Sequence, residues 1–254
     1  MKTTGNTILI TGGGSGIGRG LAEAFHALGN RVIISGRRKE ALAETTAANP
    51  GMASVALDIK DPAGIRAFAG QIAAEYPALN VLINNAGIMK TEKLLGQQDD
   101  LADAEAMVTT NLLGPIRLTA ALLPLLQKQA YSAIMNVSSG LAFVPLVITP
   151  TYCATKAAIH SYTQSLRYQL KGTATEVLEL VPPYVATDLM RGKSDPRAMP
   201  LGEYIAEVMA ILKTQPAVTE ICVERVKALY GAAVSGRYDA TFNGMNAAMT
   251  AESL

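Results

Sequence analysis

The sequence predicts an α/β fold in three layers, in which a doubly wound parallel sheet is covered by helices on both faces. Two observations lead to this prediction. Short β-branched runs alternate with helix-patterned segments over roughly the first 180 residues. These runs are apolar throughout rather than at every second position, which is typical of strands buried on both faces. Strands that are joined by helices in this way form parallel sheets.

Six strands are predicted, with a helix-patterned segment between each strand and the next. The predicted strands span residues 7–11, 31–35, 53–57, 80–84, a run that ends at Val137, and 177–181. The predicted helices have apolar stripes at 17–28, 38–48, 65–72, 101–129 and 152–170. No linker, repeat or change of composition divides the chain, so we predict a single domain over residues 1–254.

The pattern changes after the sixth strand. Residues 182–200 contain Pro and Gly and predict a loop, and two amphipathic helices are predicted to follow, at 201–212 and 222–229. Residues 231–254 are predicted to be irregular. The segment 182–215 is either a substrate loop and lid or, in its helical part, an ordinary core helix.

The composition excludes several classes of protein. The 254 residues are 49% apolar and 17% charged, which is enough for a large core and too apolar for a disordered chain. The net charge of +1 gives no electrostatic reason to expect a nucleic-acid partner. Two cysteines offer neither a disulfide framework nor a metal cluster. With no signal-peptide core and no run of eighteen apolar residues, we expect a cytoplasmic protein without a membrane span or a metal.

The segment between the first strand and the first helix is rich in glycine. Glycines there let the backbone turn sharply and approach a pyrophosphate, and the helix N-terminus adds free N–H groups and positive potential. The glycine spacing is G-x-x-x-G-x-G, which differs from the usual G-x-G-x-x-G. A loop without a ligand is the alternative to the predicted nucleotide site. The candidate binding residues in this turn are Thr11, Gly12, Ser15, Gly16, Ile17 and Gly18.

The end of the second strand bears on the choice of nucleotide. An acidic residue at this place commonly binds the ribose 2′-hydroxyl of NAD, but the sequence here is Ser35-Gly-Arg37-Arg38. Arginine side chains offer the donors that suit a phosphate group. Two solvated arginines at a helix start are the alternative. We predict NADP(H) as the cofactor.

Tyr152 and Lys156 are the strongest sign of chemistry, with Ser139 thirteen positions before the tyrosine. In a helix, Tyr152 and Lys156 share one face a turn apart. A phenol has an unperturbed pKa near ~10, and an adjacent ammonium is expected to lower it toward the range that suits acid–base work. The Ser139 hydroxyl could donate a hydrogen bond to a substrate oxygen. Taken alone, the Y-x-x-x-K spacing is also that of an ordinary helix face.

These motifs, together with Asn84-Asn85-Ala86-Gly87 and Asn111, resemble the short-chain dehydrogenase/reductase family in its compact, single-domain form. The resemblance covers about residues 5–190. It implies a Rossmann sheet with a nicotinamide cofactor at the carboxyl ends of the strands. It also implies that Tyr152 is the acid/base, that Lys156 is its partner and binds the nicotinamide ribose, and that Ser139 rather than Ser138 polarises the substrate carbonyl. Asn111 would hold a water in a proton relay to Lys156.

The resemblance implies further cofactor contacts. Asn85, Ala86 and Gly87 would line the adenosine side, and Asp58 and Ile59 would contact the adenine. The carboxamide would be held by the segment after the sixth strand, for which the matching residues are Pro182, Val185 and Thr187. In this segment Pro183 replaces the family's glycine and fixes φ, which alters the loop path and could bring Tyr184 near the substrate.

The C-terminal third departs from the common family pattern. The Val-Asp-Gly-Gly-like ending is absent, and residues 223–230 and 236–239 stand in its place. Together with the Pro-Pro pair, they resemble a poorly characterised branch of the family. The family commonly assembles on its two longest helices, which implies a homodimer or a homotetramer, although the altered ending weakens the case for a tetramer.

We therefore predict an NADP(H)-dependent oxidoreductase that interconverts a carbonyl and a secondary alcohol of a small molecule. Residues 141–148 are apolar and favour a hydrophobic ketone if they line the pocket, although packing against a subunit neighbour would explain them equally well. A reductase of carrier-bound 3-oxoacyl groups and a non-catalytic NADP-binding sensor are the alternatives. His26 and His160 lie away from these motifs and are interpreted as structural.

Overall fold

The computed structural model describes residues 1–93, 100–190 and 195–247. Its centre is a parallel sheet of seven strands in the order β3-β2-β1-β4-β5-β6-β7. The strands are β1 Thr7–Thr11, β2 Arg31–Gly36, β3 Ala53–Ala56, β4 Val81–Asn84, β5 Ser132–Val137, β6 Thr175–Val181 and β7 Glu220–Cys222. Helices lie on both faces, so the predicted doubly wound α/β fold is confirmed.

The helices follow the strands in chain order. They are α1 Gly16–Ala27, α2 Lys39–Ala48, α3 Pro62–Glu75, α4 Ala102–Val108, α5 Gly114–Leu126, α6 Pro150–Gln169, α7 Leu201–Thr214, α8 Lys227–Tyr230 and α9 Tyr238–Asn246. A π-helical turn, Thr109–Leu113, joins α4 to α5 without a break. Strand order reverses between β1 and β4, and in open α/β sheets a ligand crevice lies at such a point, beyond the carboxyl ends of the strands.

Each face of the sheet has its own apolar layer. On one face, Phe25 of α1 and Tyr204 of α7 are fully buried against the central strands. On the other face, Phe68 of α3 and Leu118 of α5 fill the space above Leu82 of β4. Because apolar layers cover both faces of the sheet, the central strands need apolar residues at successive positions. This explains the continuous apolar runs from which the sheet was predicted.

Helix α7 packs as a core helix. Tyr204 is fully buried, and a Cβ on Gly20 of α1 would stand 2.8 Å from Cγ1 of Ile205, so α1 and α7 lie in close contact. This favours the core interpretation of α7 over the lid. Residues 191–194 of the predicted 182–215 substrate segment lie outside the described residues, and the substrate role of that segment stays a prediction.

Two sequence predictions in the C-terminal third were wrong. The helix expected at 222–229 is instead the strand β7, a short 3-10 turn at Glu224–Val226 and the four-residue α8. The apolar residues of this stretch have helical spacing, but they belong to different elements: Cys222 ends β7 opposite Val181 of β6, and Val226 is buried in the 3-10 turn. The segment expected to be irregular contains α9.

The continuous helix Ala102–Leu126 is long and apolar enough to cross a membrane, judged by length and composition only. Its inner face is that of a core helix, because Leu118, Leu122 and Leu126 are buried in the layer formed with α3. Its outer face is more exposed, with Leu112 and Ile116 half-buried.

Candidate active site

The turn between β1 and α1 is shaped by glycines that no other residue could replace without a shift. Gly12 and Gly16 have φ of +69° and +52°, in the left-handed region that favours glycine. A Cβ on Gly18 would lie 2.4 Å from both the Asn85 Nδ2 atom and the Gly12 carbonyl oxygen. The turn therefore lies close to the loop after β4.

Thr11 and Asn85 hold the ends of β1 and β4 together. The Thr11 hydroxyl accepts hydrogen bonds from the backbone N–H groups of Asn85 and Ala86, both at 3.0 Å, and donates to the Ile83 carbonyl at 3.4 Å. The Asn85 amide donates to the Thr11 carbonyl at 2.9 Å. These bonds fix the loop of Asn85, Ala86 and Gly87 against the glycine turn, as the resemblance implies for a nucleotide crevice.

Arg37 and Arg38 are both exposed just beyond β2, beside the same turn. The Arg38 guanidinium donates to the Ser15 hydroxyl at 2.8 Å, which connects the end of β2 to the glycine turn. Arg37 has no hydrogen-bond or ion-pair partner within the described part of the chain. Two cationic side chains thus lie just beyond β2, and one of them contacts the glycine turn.

Asp58 and Ile59, the two residues implied for adenine, differ in their surroundings. Asp58 is exposed and accepts a hydrogen bond from the Lys60 N–H at 3.0 Å. Ile59 is buried, and a Cβ on Gly114 would stand 2.5 Å from its Cγ1 atom. The Ile59 side chain thus packs in the core against α5, and its contact with an adenine stays a prediction.

Tyr152 and Lys156 lie on the inner face of α6, and both are buried. The Lys156 ammonium donates to the Val137 carbonyl of β5 at 2.8 Å and lies 5.6 Å from the centroid of the Tyr152 ring. The Ser139 hydroxyl lies beside the Tyr152 phenol, whereas the Ser138 hydroxyl donates to the Leu180 carbonyl of β6. The structure therefore brings Ser139, and not Ser138, to the tyrosine.

The predicted lowering of the Tyr152 pKa by Lys156 is wrong. Burial raises the pKa of Tyr152 above its usual value of 10, and the hydrogen bond with Ser139 opposes this rise only in part. Burial also lowers the pKa of Lys156 to about 8, against the opposing effect of the Glu179 carboxylate. Burial outweighs the hydrogen bond with Ser139, so at neutral pH the Tyr152 phenol is in its proton-donating form.

Asn111 lies in the π-helical turn and is almost completely buried, which excludes a surface role. Its carboxamide accepts a hydrogen bond from the Ile88 N–H and donates to the Ile88 carbonyl, both at 2.9 Å. A Cβ on Gly87 would lie 3.4 Å from the Asn111 oxygen and 3.8 Å from the Lys156 nitrogen. Asn111 thus fixes the loop beside Lys156. The water relay implied by the resemblance stays a prediction.

The segment after β6 returns to the glycine turn. The Thr187 methyl group would be 3.3 Å from a Cβ on Gly16, so Thr187 covers that turn. The Pro182 carbonyl accepts from the Gly140 N–H at 2.9 Å, and Val185 is buried. Tyr184 is 40% exposed, and its hydroxyl donates to Asp195 at 3.3 Å.

An apolar cluster surrounds Tyr152. Met107 and Cys153 are buried in it with the tyrosine, and Leu141 and Leu146 of the loop before α6 pack against it. The same loop is fastened by α9, because the Asn246 carboxamide accepts from the Val147 N–H at 3.0 Å and donates to the Pro145 carbonyl at 3.1 Å. The apolar loop therefore forms one side of the site.

Sequence reasoning missed one group near Lys156. Glu179 is fully buried in the middle of β6, and His160 Nδ1 lies 2.7 Å from its carboxylate. The placement of His160 away from the motifs was wrong, since α6 brings it one turn beyond Lys156. The available signal was Glu179 itself, a charge within the otherwise apolar run Val177–Val181.

His26 lies far from this group. Its Nε2 atom is 3.1 Å from the Pro50 carbonyl, at the distal end of α1, which agrees with the structural interpretation.

The sequence of this chain is similar to known oxidoreductases. Residues 6–198 match the family model of the short chain dehydrogenases. The chain is 41% identical over 251 residues to the uncharacterized oxidoreductase DltE of Bacillus subtilis (strain 168), covering 97% of this chain and 98% of that protein. This relative confirms the resemblance of the C-terminal third to a poorly characterised branch.

Solved structures of short-chain dehydrogenases have the same fold as this chain. A short chain dehydrogenase from Burkholderia cenocepacia J2315, in complex with NADP, superposes with a TM-score of 0.81 and 27% identity, covering 95% of this chain and 99% of that chain. A short-chain dehydrogenase from Sphingobium yanoikuyae in complex with NADPH gives 0.76 and 28%, covering 93% of this chain and 94% of that chain. With the family model matching most of its length, this chain belongs to the short-chain dehydrogenase/reductase family of oxidoreductases.

Proposed function

We propose that this protein is an NADP(H)-dependent oxidoreductase that interconverts a small-molecule carbonyl and a secondary alcohol. The observation that carries the proposal is the convergence of the Tyr152 phenol, the Ser139 hydroxyl and the Lys156 ammonium in an apolar cluster. A donor, a polarising hydroxyl and a cation within one water-poor site are what reduction of a carbonyl requires of a protein.

The residues around the crevice fit a dinucleotide. The positive-φ glycines and the close approach of Gly18 to Asn85 leave backbone N–H groups at the start of α1 for a pyrophosphate. Thr187 covers the turn on the side where Val185 and Pro182 would hold the nicotinamide carboxamide. Lys156 would hold the nicotinamide ribose. A bound nicotinamide supplies or accepts the hydride.

The protein's own residues handle the proton. In the direction of reduction, Tyr152 donates its phenolic proton to the oxygen that becomes an alkoxide, and the raised pKa of Tyr152 keeps the phenol protonated at neutral pH. Ser139 donates a hydrogen bond to the same oxygen as its negative charge grows. The Lys156 ammonium stabilises the resulting phenolate, and Asn111, through its proposed water, returns the proton.

The preference for NADP(H) rests on Arg37 and Arg38 at the end of β2, where an acid would favour NAD. Arginine binds phosphate with charge-assisted, often bidentate hydrogen bonds. Relatives of this fold with bound NADP or NADPH support the same preference.

The substrate that fits the site best is a hydrophobic ketone. Leu141 and Leu146 pack beside Tyr152 with Met107, and Met89 and Ile88 complete the apolar surroundings. A carrier-bound 3-oxoacyl group would call for a basic docking surface, and the balanced charge of the chain does not favour one. A sensor without turnover is disfavoured because Tyr152 and Lys156 are both present and adjacent.

We also propose a cytoplasmic homodimer or homotetramer. The outer face of the 102–126 helix supports self-association, because Leu112 and Ile116 are only half-buried there, and Tyr168 on α6 is 79% exposed. Sedimentation velocity at micromolar concentration tests this part of the proposal, and a monomer would contradict it.

The test of the enzyme proposal is NADPH oxidation followed at 340 nm with a panel of ketones of increasing polarity. Tyr152→Phe is the matched blank, since it removes only the hydroxyl oxygen. We expect turnover with apolar ketones in the wild type and a loss of at least about 100-fold in kcat in the variant. NADPH binding should persist in the variant. Turnover that survives Tyr152→Phe would exclude the proposed role of Tyr152.

A further inference from the structure

Glu179 is a charged side chain in the interior of the sheet. It is fully buried in β6, and one of its carboxylate oxygens, Oε1, has no hydrogen-bond partner within the described part of the chain. A buried carboxylate is costly unless a hydrogen bond or an opposite charge stabilises it. The nearby groups therefore decide what Glu179 does.

The pairing of β5 with β6 places Glu179 near the carbonyl group that accepts the hydrogen bond of Lys156. Glu179 of β6 is the partner of Asn136 on β5, and the next residue of β5, Val137, accepts the hydrogen bond of the Lys156 ammonium. His160 contacts Glu179 from α6, one turn beyond Lys156. Carboxylate, imidazole and ammonium thus lie in one gap between α6 and the sheet.

His160 links Glu179 to helix α6. Its Nδ1 atom is 2.7 Å from the Glu179 carboxylate, and its Nε2 atom is 3.2 Å from the Gln164 amide nitrogen. His160 thus holds the carboxylate in place.

Glu220 and Arg167 form a separate pair beside this group. Arg167 donates to Oε1 of Glu220 at 3.2 Å, and the Tyr230 hydroxyl donates to its Oε2. The possible metal-ligand atoms of His160, Glu179 and Glu220 lie within 4.8 Å of one another. Both Glu220 oxygens are already used, however, and the Arg167 cation opposes a metal ion there.

The other titratable groups that face Glu179 are neutral at pH 7. Burial raises the pKa of the Cys222 thiol to about 12, and the bond to Glu220 raises the pKa of Tyr230 above its usual value. Within the described part of the chain, Arg167 is paired to Glu220, which leaves Lys156 as the lysine or arginine cation that faces Glu179 from α6. Consistently, the Glu179 carboxylate raises the pKa of Lys156 against the effect of burial.

We propose that Glu179 is a positioning residue for Lys156: it is the buried counter-ion, held by His160, that keeps the Lys156 side chain an ammonium directed at the end of β5. The effect of this pairing on catalysis rests on the proposed function. The charge coupling itself does not depend on turnover.

The test is the titration of Lys156 in protein labelled with ¹³C at the lysine ε-carbon, with the signal assigned by its loss in Lys156→Arg. In Glu179→Gln we expect the midpoint of Lys156 to fall by about one pH unit or more, because one nearby charge is lost. Glu220→Gln is the matched control and should move the midpoint by less than half as much. An unchanged midpoint in Glu179→Gln would overturn the proposal.

Turnover gives a second readout. In Glu179→Gln the alkaline limb of the kcat profile for ketone reduction should move to lower pH by the same amount, with the acid side little changed. If the wild type shows no turnover, the proposed function fails, and the NMR titration still tests the coupling. If the wild type is active and the titration is unmoved, only the present inference fails.

A folding defect would also be informative. If Glu179→Gln and Glu179→Met do not fold at pH 7, an uncompensated Lys156 ammonium is the expected cause, and the double variant Glu179→Gln/Lys156→Gln should recover the folded circular dichroism spectrum. A double variant that remains unfolded would contradict the pairing of these two charges.

Discussion

Arg38 and Ser15 connect two loops that meet at the nucleotide crevice: the guanidinium of Arg38, just beyond β2, donates to the hydroxyl of Ser15 in the glycine turn at 2.8 Å. The bond fixes one arginine, while its neighbour Arg37 is exposed and has no partner within the described residues. One cation is thus placed by the fold and the other is available to a ligand phosphate.

The first prediction concerns cofactor choice. The double variant Arg37→Ala/Arg38→Ala should lower kcat/KM for NADPH by about 100-fold, since each charge-assisted hydrogen bond to a phosphate contributes about 1.5–3 kcal/mol. The value for NADH should change less than about threefold. Arg31→Ala, at the opposite end of β2, is the matched control. Equal losses with both cofactors would refute a 2′-phosphate site.

The second prediction concerns the glycine turn. Gly18→Ala places a Cβ 2.4 Å from the Asn85 amide and from the Gly12 carbonyl, so the two loops must separate. We expect NADPH binding, measured by calorimetry, to weaken at least about tenfold. Gly70→Ala is the control, because a Cβ there meets nothing within 4 Å in helix α3. It should stabilise the fold by about 0.5–1 kcal/mol and leave binding unchanged.

The third prediction follows from Lys156, whose pKa burial lowers from 10.5 to about 8. Between pH 8 and 10.5 the unfolded chain keeps the lysine proton while the folded chain releases it. The unfolded state therefore binds more protons, and the Lys156 contribution makes the free energy of unfolding rise with pH in this window. Below pH 8 the contribution is constant.

Urea unfolding at several pH values checks this. Between pH 8 and 10.5, the slope of the unfolding free energy against pH should be smaller in Lys156→Gln than in the wild type. The difference should be up to about 1.4 kcal/mol per pH unit. Comparing slopes cancels the tyrosines and cysteines, whose raised pKa values act in the opposite direction in both proteins. Lys171→Gln, an exposed lysine just beyond α6, is the control. Parallel curves for wild type and Lys156→Gln would show that Lys156 is not desolvated.

The fourth prediction concerns Asn111. Asn111→Ala leaves the partly buried N–H and carbonyl of Ile88 without their Asn111 partners, which costs up to about 1 kcal/mol for each hydrogen bond lost. The melting temperature should fall by several degrees, and kcat should fall by at least about tenfold as the loop beside Lys156 loosens. Asn111→Asp keeps the acceptor for the Ile88 N–H and should lose less stability. A variant with unchanged melting and unchanged kcat would show that the Ile88 loop is held by other contacts.

The sequence allowed the sheet and the crevice to be predicted because both depend on local signals. Buried parallel strands need continuous apolar runs, and the positive-φ turn at Gly12 and Gly16 needs glycine. Ser139 was placed by its spacing to Tyr152 within a family resemblance, and the structure brings the two side chains together. In each of these parts, local burial, backbone conformation or motif spacing restricts the residue type at a single position.

Other parts depend on contacts between distant segments. Strand β7 has only three residues and exists because β6 offers an open edge, which a local pattern at 220–222 cannot reveal. The pKa of Tyr152 was predicted from a neighbour four residues away, but the degree of burial decided it. His160 acquires its role only when β6 places Glu179 against α6.

The last prediction concerns the junction of α9 with the loop before α6. The Asn246 side chain satisfies both the Val147 N–H and the Pro145 carbonyl, so it fixes the apolar loop that packs beside Tyr152. Asn246→Ala should raise KM for a hydrophobic ketone about three- to tenfold, because ordering the loop must then accompany substrate binding. KM for NADPH should stay the same, since the glycine turn lies elsewhere. Asn243→Ala, exposed on the same helix, is the control and should leave both constants unchanged. If the two variants behave alike, the apolar loop is ordered without α9, and the substrate wall must be sought on the other side of Tyr152.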